Sequence, residues 1–376
     1  MTQPTIAIVG AGLSGLVLAR ILQINGIDAT VYEADATGDV RSQGGSLDIH
    51  DDSGQFALRV AGLYERFREH VQPQGEHVRV LDRHGKAHID AGPPGGEGGR
   101  PEIDRTTLRR LLLDSLTPGR VVWNHKVIST KRLTNGGTEL TFADGGTAIA
   151  DLLIGADGTW SRVRPLLSDA TPAYCGITHI EIHIPDPAAH PDQATTVGPG
   201  VLFALGGDRA IMGHGGTHID LGAALRVPPD WLAGSGVDWS DPAAARAALL
   251  VEYPDWAPAL TALVDIGDSF TPRQIFALPV GHRWDRVPGV TLIGDAAHVM
   301  SPYAGEGANL AMLDGATLAQ ALLDHPGDAE TALHAYETEM FPRAARSAQA
   351  SDQGLEMCFG PQAPHEIVNF FSEARR

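Results

Sequence analysis

Apolar positions change their period along the chain, and each change predicts an element. Thr5-Ile6-Ala7-Ile8-Val9 is an apolar, β-branched run that reads as a buried strand, and residues 16–22 continue with helical spacing. Gly26 ends that helix, and Ala29-Thr30-Val31-Tyr32 predicts a second strand closed by Glu33. Over residues 54–70, Phe56, Val60, Leu63 and Phe67 recur on one helical face. The runs at 78–81 and 87–89 flank Arg83-His84-Gly85-Lys86 and predict a hairpin, and the glycine and proline cluster at 92–99 predicts a loop. A helix follows over 103–115, with Asp104 or Thr106 as its N-cap, then a strand over 120–123.

Residues 127–149 predict a β-meander that turns at Asn135-Gly136 and Asp144-Gly145. The strand at 151–154 runs into Gly155-Ala156-Asp157-Gly158. From 171 to 270 strand-like runs dominate, with short helices at 243–252 and 257–264, which predicts a second, sheet-based domain. Residues 289–293 return to a buried strand, followed directly by Gly294-Asp295. A glycine-rich bend at 301–307 precedes a helix over 308–323, and the chain past Pro326-Gly327 is largely helical to about residue 358.

Between the first strand and its helix lies Gly10-Ala11-Gly12-Leu13-Ser14-Gly15, the spacing G-x-G-x-x-G. Gly10 allows the tight turn, Gly12 lets the backbone approach a pyrophosphate, and Gly15 lets helix and strand pack closely. The helix aims its unpaired N–H groups and positive dipole end at the phosphates. Glu33 falls near the distance at which a carboxylate accepts hydrogen bonds from an adenosine ribose. Strand, glycines, helix and acid in this order predict a dinucleotide site.

Composition narrows the partners. The chain of 376 residues is long enough for two packed domains. A net charge of −18 disfavours nucleic acid and anionic membrane surfaces, because phosphate binding needs basic patches. Cys175 and Cys358 are too few and too far apart in sequence for a disulfide framework or a metal site. No apolar run approaches a membrane span, and the N-terminus has no basic n-region, so a soluble, cytoplasmic protein is expected, with a monomer as the default.

Three segments share one plan of apolar strand, glycine-acid pair and helix: the opening fingerprint, Gly155-Ala156-Asp157-Gly158, and Gly294-Asp295. Singly, each acid reads as a helix N-cap. In combination the three segments resemble the FAD-dependent monooxygenases of the aromatic-hydroxylase type. The second motif matches at Asp157, Gly158, Ser161 and Arg162; the third matches at Gly294 to His298 and then Pro302, Gly305 and Gly307. Gly44 to His50, Glu102 to Arg105 and Met300 to Gly307 are similar, more narrowly, to the tetracycline-inactivating branch of that family.

The resemblance implies an α/β fold: a Rossmann-like FAD-binding domain from 1–70, 99–170 and 271–323, a β-sheet substrate domain from 71–98 and 171–270, and a C-terminal helical segment from 324–376. It implies that Glu33, Arg41, Asp48, Arg105, Asp157 and Asp295 contact FAD. Gly305, Gly307, Ala308 and Asn309 would bring a helix N-terminus to the flavin pyrimidine edge. It also implies a cavity above the flavin lined by His179, Arg209, Pro302, Tyr303 and Met357. His179 stands where the branch has an amide, and Tyr303 where it has phenylalanine.

The activity so implied is hydroxylation of a polycyclic phenol or enol, a tetracycline among them, with NADPH as transient reductant and O₂ as co-substrate. By that resemblance NADPH would reduce the flavin, oxygen would add at its C4a position, and one atom would pass to the substrate while the other leaves as water. No protein nucleophile is needed, and no convincing Ser-His-Asp, Cys-His or metal-ligand cluster is present in the sequence. A flavin halogenase is disfavoured, since W-x-W-x-I-P is absent and no two of the six tryptophans lie two apart. A reductase without oxygen insertion and a flavoprotein that merely sequesters a ligand are the other readings; product mass and NADPH consumption separate them.

Overall fold

The strand Ile6–Val9, formed by the first apolar run, lies at the centre of a five-stranded parallel sheet. A computed structural model describes residues 4–38, 45–72, 75–93 and 99–373 of the chain. The sheet runs Val290–Leu292, Leu152–Gly155, Ile6–Val9, Thr30–Tyr32 and Val121–Val122. Its strands are apolar at nearly every position, as burial on both faces requires. Val9 pairs with Gly155, and Gly155 with Leu292, so three strand ends lie in one row. Each of the three glycine-acid segments begins just beyond that row, which brings them to one edge of the sheet.

The helices Leu13–Ile24 and Gly307–Asp324 pack against each other beside this sheet. Their approach is close enough that a Cβ at Gly315 would lie 2.5 Å from the Ser14 carbonyl oxygen. An antiparallel meander of Val127–Arg132, Thr138–Phe142 and Thr147–Ala150 forms as the turn residues predict.

The second large sheet has seven strands, in the order Ser269–Ala277, Ala173–Ile184, Ile219–Arg226, Arg209–His214, Val201–Leu205, Val78–Asp82 and Ala87–Ala91. The strand Ser269–Ala277, which a boundary at 270 would divide, belongs whole to this sheet. Alternation gives the sheet two apolar faces. Ile180, Ile182, Ile211 and Leu225 share a core with Leu249, Tyr253 and Leu263 from the helices Pro242–Glu252 and Pro258–Asp265. On the opposite face Ile177, Ala210 and Ala224 pack with Leu355, Phe359 and Ile367 of the C-terminal helices Ala329–Phe359 and His365–Glu373. A two-stranded ladder, Ser46–Asp48 with Glu102–Asp104, completes the strands named here.

Local departures from the sequence reading have local causes. Residues 54–70 are not one helix: a π-turn at Asp51–Gln55 leads into Phe56–Val60, and Gly62, with φ at +67°, breaks the path before Tyr64–Arg68. Pro191–Val197 and His365–Glu373 are additional helices. Of the two candidate caps, Asp104 caps the helix Arg105–Leu113, its Oδ1 accepting from Thr107 N–H at 2.7 Å. No helix among the described residues is long and apolar enough to cross a membrane.

Candidate active site

Three glycines divide the labour of the first turn. Gly10 has φ at +106°, and a Cβ there would strike the Ala156 carbonyl oxygen, so this turn packs on the second motif. A Cβ at Gly15 would strike the carbonyl oxygen of Gly10 itself. A Cβ at Gly12, by contrast, would have no heavy atom within 4 Å. Gly12 is the N-cap of the helix Leu13–Ile24 and contributes no side-chain cap. That combination of free helix N–H groups and open space fits a pyrophosphate.

Glu33 ends the neighbouring strand and is buried; its Oε2 accepts from Ala11 N–H at 2.6 Å and its Oε1 from Asp35 N–H at 3.0 Å. The carboxylate therefore braces the fingerprint turn. Arg109 braces the same turn, a role the sequence reading did not single out. Its Nε donates to the Ala11 carbonyl at 3.1 Å and its Nη1 to the Gly38 carbonyl at 2.8 Å. The signal was an arginine set between Leu108 and Leu111 on the buried side of a helix.

In the second motif Asp157 closes its own loop. Its carboxylate accepts from Ser161 Oγ–H at 2.6 Å and Arg162 N–H at 2.6 Å. Burial nonetheless pushes its pKa upward, against those hydrogen bonds. The side chain of Arg162 is exposed, and Arg164 is the arginine that joins motifs. Its Nε donates to the Ala296 carbonyl at 2.8 Å and its Nη2 to the Asp295 carbonyl at 3.2 Å. The correction follows from the turn: Ser161 Oγ accepts from Arg164 N–H at 2.9 Å, which buries residue 164 and leaves 162 outside.

The third turn is held from beneath by a buried ionic network. Gly294, with φ at +61°, donates its N–H to Asp314 Oδ2 at 2.9 Å. The same oxygen lies 2.6 Å from His298 Nε2, and Arg343 Nη2 donates to Oδ1 at 2.9 Å. Burial alone would raise the Asp314 carboxyl, but His298, Arg343 and the Gly294 N–H hold it below its ordinary value. Asp314 thus fixes the backbone that presents Asp295. An aspartate inside the apolar helix Gly307–Asp324 was the sequence sign of it. The Asp295 carboxylate is exposed and accepts no hydrogen bond from any described residue, which leaves it open to a ligand hydroxyl.

The helix Gly307–Asp324 starts two residues beyond Gly305, whose φ is +69°. Gly307, like Gly12, faces open space at the position of a Cβ, and Ala308 adds only a methyl group. The side chain of Asn309 is engaged elsewhere: Nδ2 donates to the Asp48 carbonyl at 2.8 Å, and Oδ1 accepts from His50 N–H at 2.9 Å. It clamps the strand Ser46–Asp48 to the helix start, while Asp48 Oδ2 lies 2.7 Å from His50 Nε2. Arg41 lies outside the described residues.

Arg105 lies between this cradle and the seven-stranded sheet. Its guanidinium makes no hydrogen bond or ion pair with a described residue. Burial lowers its pKa, Asp295 opposes that, and Arg273 and Glu181 of the sheet reach it as well.

Of the five residues expected at the substrate cavity, two meet directly: His179 Nε2 lies 2.7 Å from the Tyr303 hydroxyl. Pro302 starts the short 3₁₀ turn that carries Tyr303, and Met357 packs with Tyr303 on the cluster that holds Phe359. Arg209 is on the wrong side. It shares the parity of Ile211, faces the helix Pro242–Glu252 and donates to Glu252 Oε2 at 2.6 Å. In a strand, neighbouring positions point to opposite faces, so a misjudged register moves a side chain across the sheet.

The site is thus a dinucleotide cradle at the ends of three parallel strands, beside the polar corner of a second sheet. The chain matches the model of the FAD binding domain family over residues 3–189 and 280–351, and it belongs to that family. It is an FAD-dependent monooxygenase of the aromatic-hydroxylase type. It is 32% identical to the 3-amino-4-hydroxybenzoate 2-monooxygenase PtmB3 of Streptomyces platensis, over 96% of this chain and 90% of the relative. It is 28% identical to the monooxygenase asqM of Emericella nidulans, over 95% and 96%. In fold it matches HpxO of Klebsiella pneumoniae, solved with FAD and uric acid (TM-score 0.79, 22% identity, 99% and 92% covered). It also matches the tetracycline destructase Tet(51) (TM-score 0.72, 20% identity, 100% and 96% covered).

Proposed function

We propose that this chain hydroxylates a polycyclic phenol or enol, with a tetracycline as a candidate substrate, using FAD and NADPH. One observation carries the reading: Arg105 lies within the electrostatic reach both of Asp295 in the cradle and of Glu181 and Arg273 at the sheet corner, next to His179 and Tyr303. A ring held at that corner would lie beside the flavin. Bound FAD supplies the electron and oxygen transfer. The chain supplies binding, orientation and charge. In this reading Gly10, Gly12 and Gly15 seat the pyrophosphate, Glu33 the adenosine ribose, and Asp295 the ribityl hydroxyls. Asp48, Arg105 and Asp157 complete the flavin contacts. The N-terminus of the helix Gly307–Asp324 places backbone N–H groups of Gly307, Ala308 and Asn309 where negative charge develops on reduced flavin. No side chain is assigned as general base.

The reading is supported by similarity to Tet(51) in fold and by the polar, partly apolar corner around Tyr303. A smaller aromatic is the second reading, favoured by the 32% identity to an enzyme named for 3-amino-4-hydroxybenzoate. NADPH consumption by the FAD-loaded protein, with and without tetracyclines and simpler phenols, distinguishes them when product masses are recorded. Stimulation by a tetracycline with gain of one oxygen is the expected result. Stimulation only by a simple aromatic moves the substrate to the second reading. Consumption without a heavier product overturns the hydroxylase assignment.

A further inference from the structure

We infer that Tyr303, fixed by His179, is the uncharged hydrogen-bonding contact that orients the substrate ring, and that the site prefers a neutral hydroxylated ring to one carrying a carboxylate. The inference rests on the monooxygenase reading for the identity of the ring as substrate. Tyr303 is held from three sides. Its hydroxyl lies 2.7 Å from His179 Nε2, its ring meets the edge of Phe359 at 5.4 Å between centroids, and a Cβ at Gly354 would strike its carbonyl oxygen. His179 sits over the Gly222 backbone, where a Cβ would come within 2.8 Å of Nδ1. A glycine in the paired strand is what makes room for the imidazole. The pair is therefore built, not incidental: Gly222 leaves room for the His179 ring and Gly354 for the Tyr303 backbone.

Neither member carries charge at neutral pH. Burial pushes the His179 imidazole down to about 4, and burial raises the Tyr303 phenol well above its ordinary value. The two share one hydrogen bond, which leaves the Tyr303 oxygen able to make another to a ring hydroxyl.

Two of the surrounding cations are already ion-paired, and a third, Arg105, faces the flavin in the proposed reading. Arg273, paired in register with His179, donates through Nε and Nη2 to Glu181 at 2.5 and 3.0 Å. Arg226 donates to Glu356 at 3.0 Å. Arg105 lies in the field of Asp295, and Arg209 is on the opposite face with Glu252. A ring carboxylate at Tyr303 would have to displace an existing anion from Arg273 or Arg226, compete with the flavin for Arg105, or stay unpaired, and an unpaired charge away from water is costly. A neutral phenol needs only the Tyr303 contact.

The test is titration of the FAD-loaded protein with 1-naphthol and with 1-hydroxy-2-naphthoate, read by perturbation of the flavin absorbance. The neutral naphthol is expected to bind at least about tenfold more tightly. Tyr303→Phe should weaken it by about tenfold, the size of one net hydrogen bond, with flavin occupancy and melting temperature unchanged. His179→Ala should reproduce that loss, whereas His179→Gln, which retains a partner for the Tyr303 hydroxyl, should stay within about threefold of the parent. Equal or tighter binding of the carboxylated ring, an unaffected Tyr303→Phe protein, or no binding of either ring would overturn the inference. Product mass is scored separately. A naphthol that binds as expected and is never oxygenated would sink the hydroxylase reading while leaving the binding preference of the pair intact.

Discussion

Two carboxyl groups of opposite character test the account at the scale of single residues. Asp295 is exposed and its carboxylate accepts no hydrogen bond from any described residue, yet its backbone is fixed by Arg164 and by the Asp314 network behind Gly294. Asp295→Ala should leave the fold in place and weaken FAD retention by about tenfold to a hundredfold, the worth of a hydrogen bond to a charged group. Normal flavin content after extensive dialysis would refute the assignment. Glu102 is its counterpart. It is buried, Ser46 donates to its Oε2 at 2.5 Å, and it pairs across the ladder with Asp48. Burial raises its pKa from 4.5 to about 8, with Asp48 and Glu76 adding to the rise and the Ser46 hydrogen bond opposing it. A carboxyl raised on folding stabilises the native state below its unfolded pKa and loses that contribution as pH climbs to the folded value. Melting temperature should therefore fall between pH 4.5 and about 8 relative to Glu102→Gln, then run parallel above it. Parallel curves throughout would mean that Glu102 ionises freely in the folded protein.

At the scale of elements, the fingerprint turn separates what holds the fold from what holds the ligand. Gly12 and Gly15 lie three residues apart on one turn but face different neighbours. Gly15→Ala puts a methyl group against the Gly10 carbonyl and should cost about 1–3 kcal/mol of stability, as overpacking does. Gly12→Ala meets nothing within 4 Å, so the unloaded protein should melt as before while its affinity for FAD drops. Thermal melts of both variants, with and without added FAD, check the pair. A Gly12→Ala protein that binds FAD normally would remove the pyrophosphate from that turn.

The elements also show where sequence reasoning reached and where it stopped. Strand-glycine-acid-helix segments were legible because each glycine meets a local demand that no other residue meets. The resemblance put His179, Arg209 and Tyr303 in one cavity, and His179 and Tyr303 do meet, but Arg209 points to the other face of its strand, because a resemblance carried through a divergent strand does not fix its register. Arg109, Arg164 and the Asp314–Arg343 pair were not singled out: their partners lie 29 to 132 positions away. Long-range ion pairs and side-chain-to-backbone bonds leave no periodic trace. The break at Gly62 was readable in principle, since a glycine with positive φ ends a helix, but the apolar spacing on either side masked it.

Across the whole molecule, two sheets divide the work. The parallel sheet gathers three motif turns along one row of strand ends, and the seven-stranded sheet presents a polar corner opposite, its other face sealed by helices. The segment leading into the Ser46–Asp48 strand connects them, Gly45 N–H donating to Asp220 Oδ2 at 2.9 Å, and Arg105 lies in the field of charges from both. On the proposed reading, the arrangement holds a hydroxylated ring beside the flavin. The most direct measurement is reaction of the FAD-loaded protein with NADPH and an accepted phenol under isotopically heavy dioxygen, followed by mass spectrometry of the product. One heavy oxygen atom in the product is the predicted result. A product of unchanged mass, or one whose added oxygen comes from water, would contradict it.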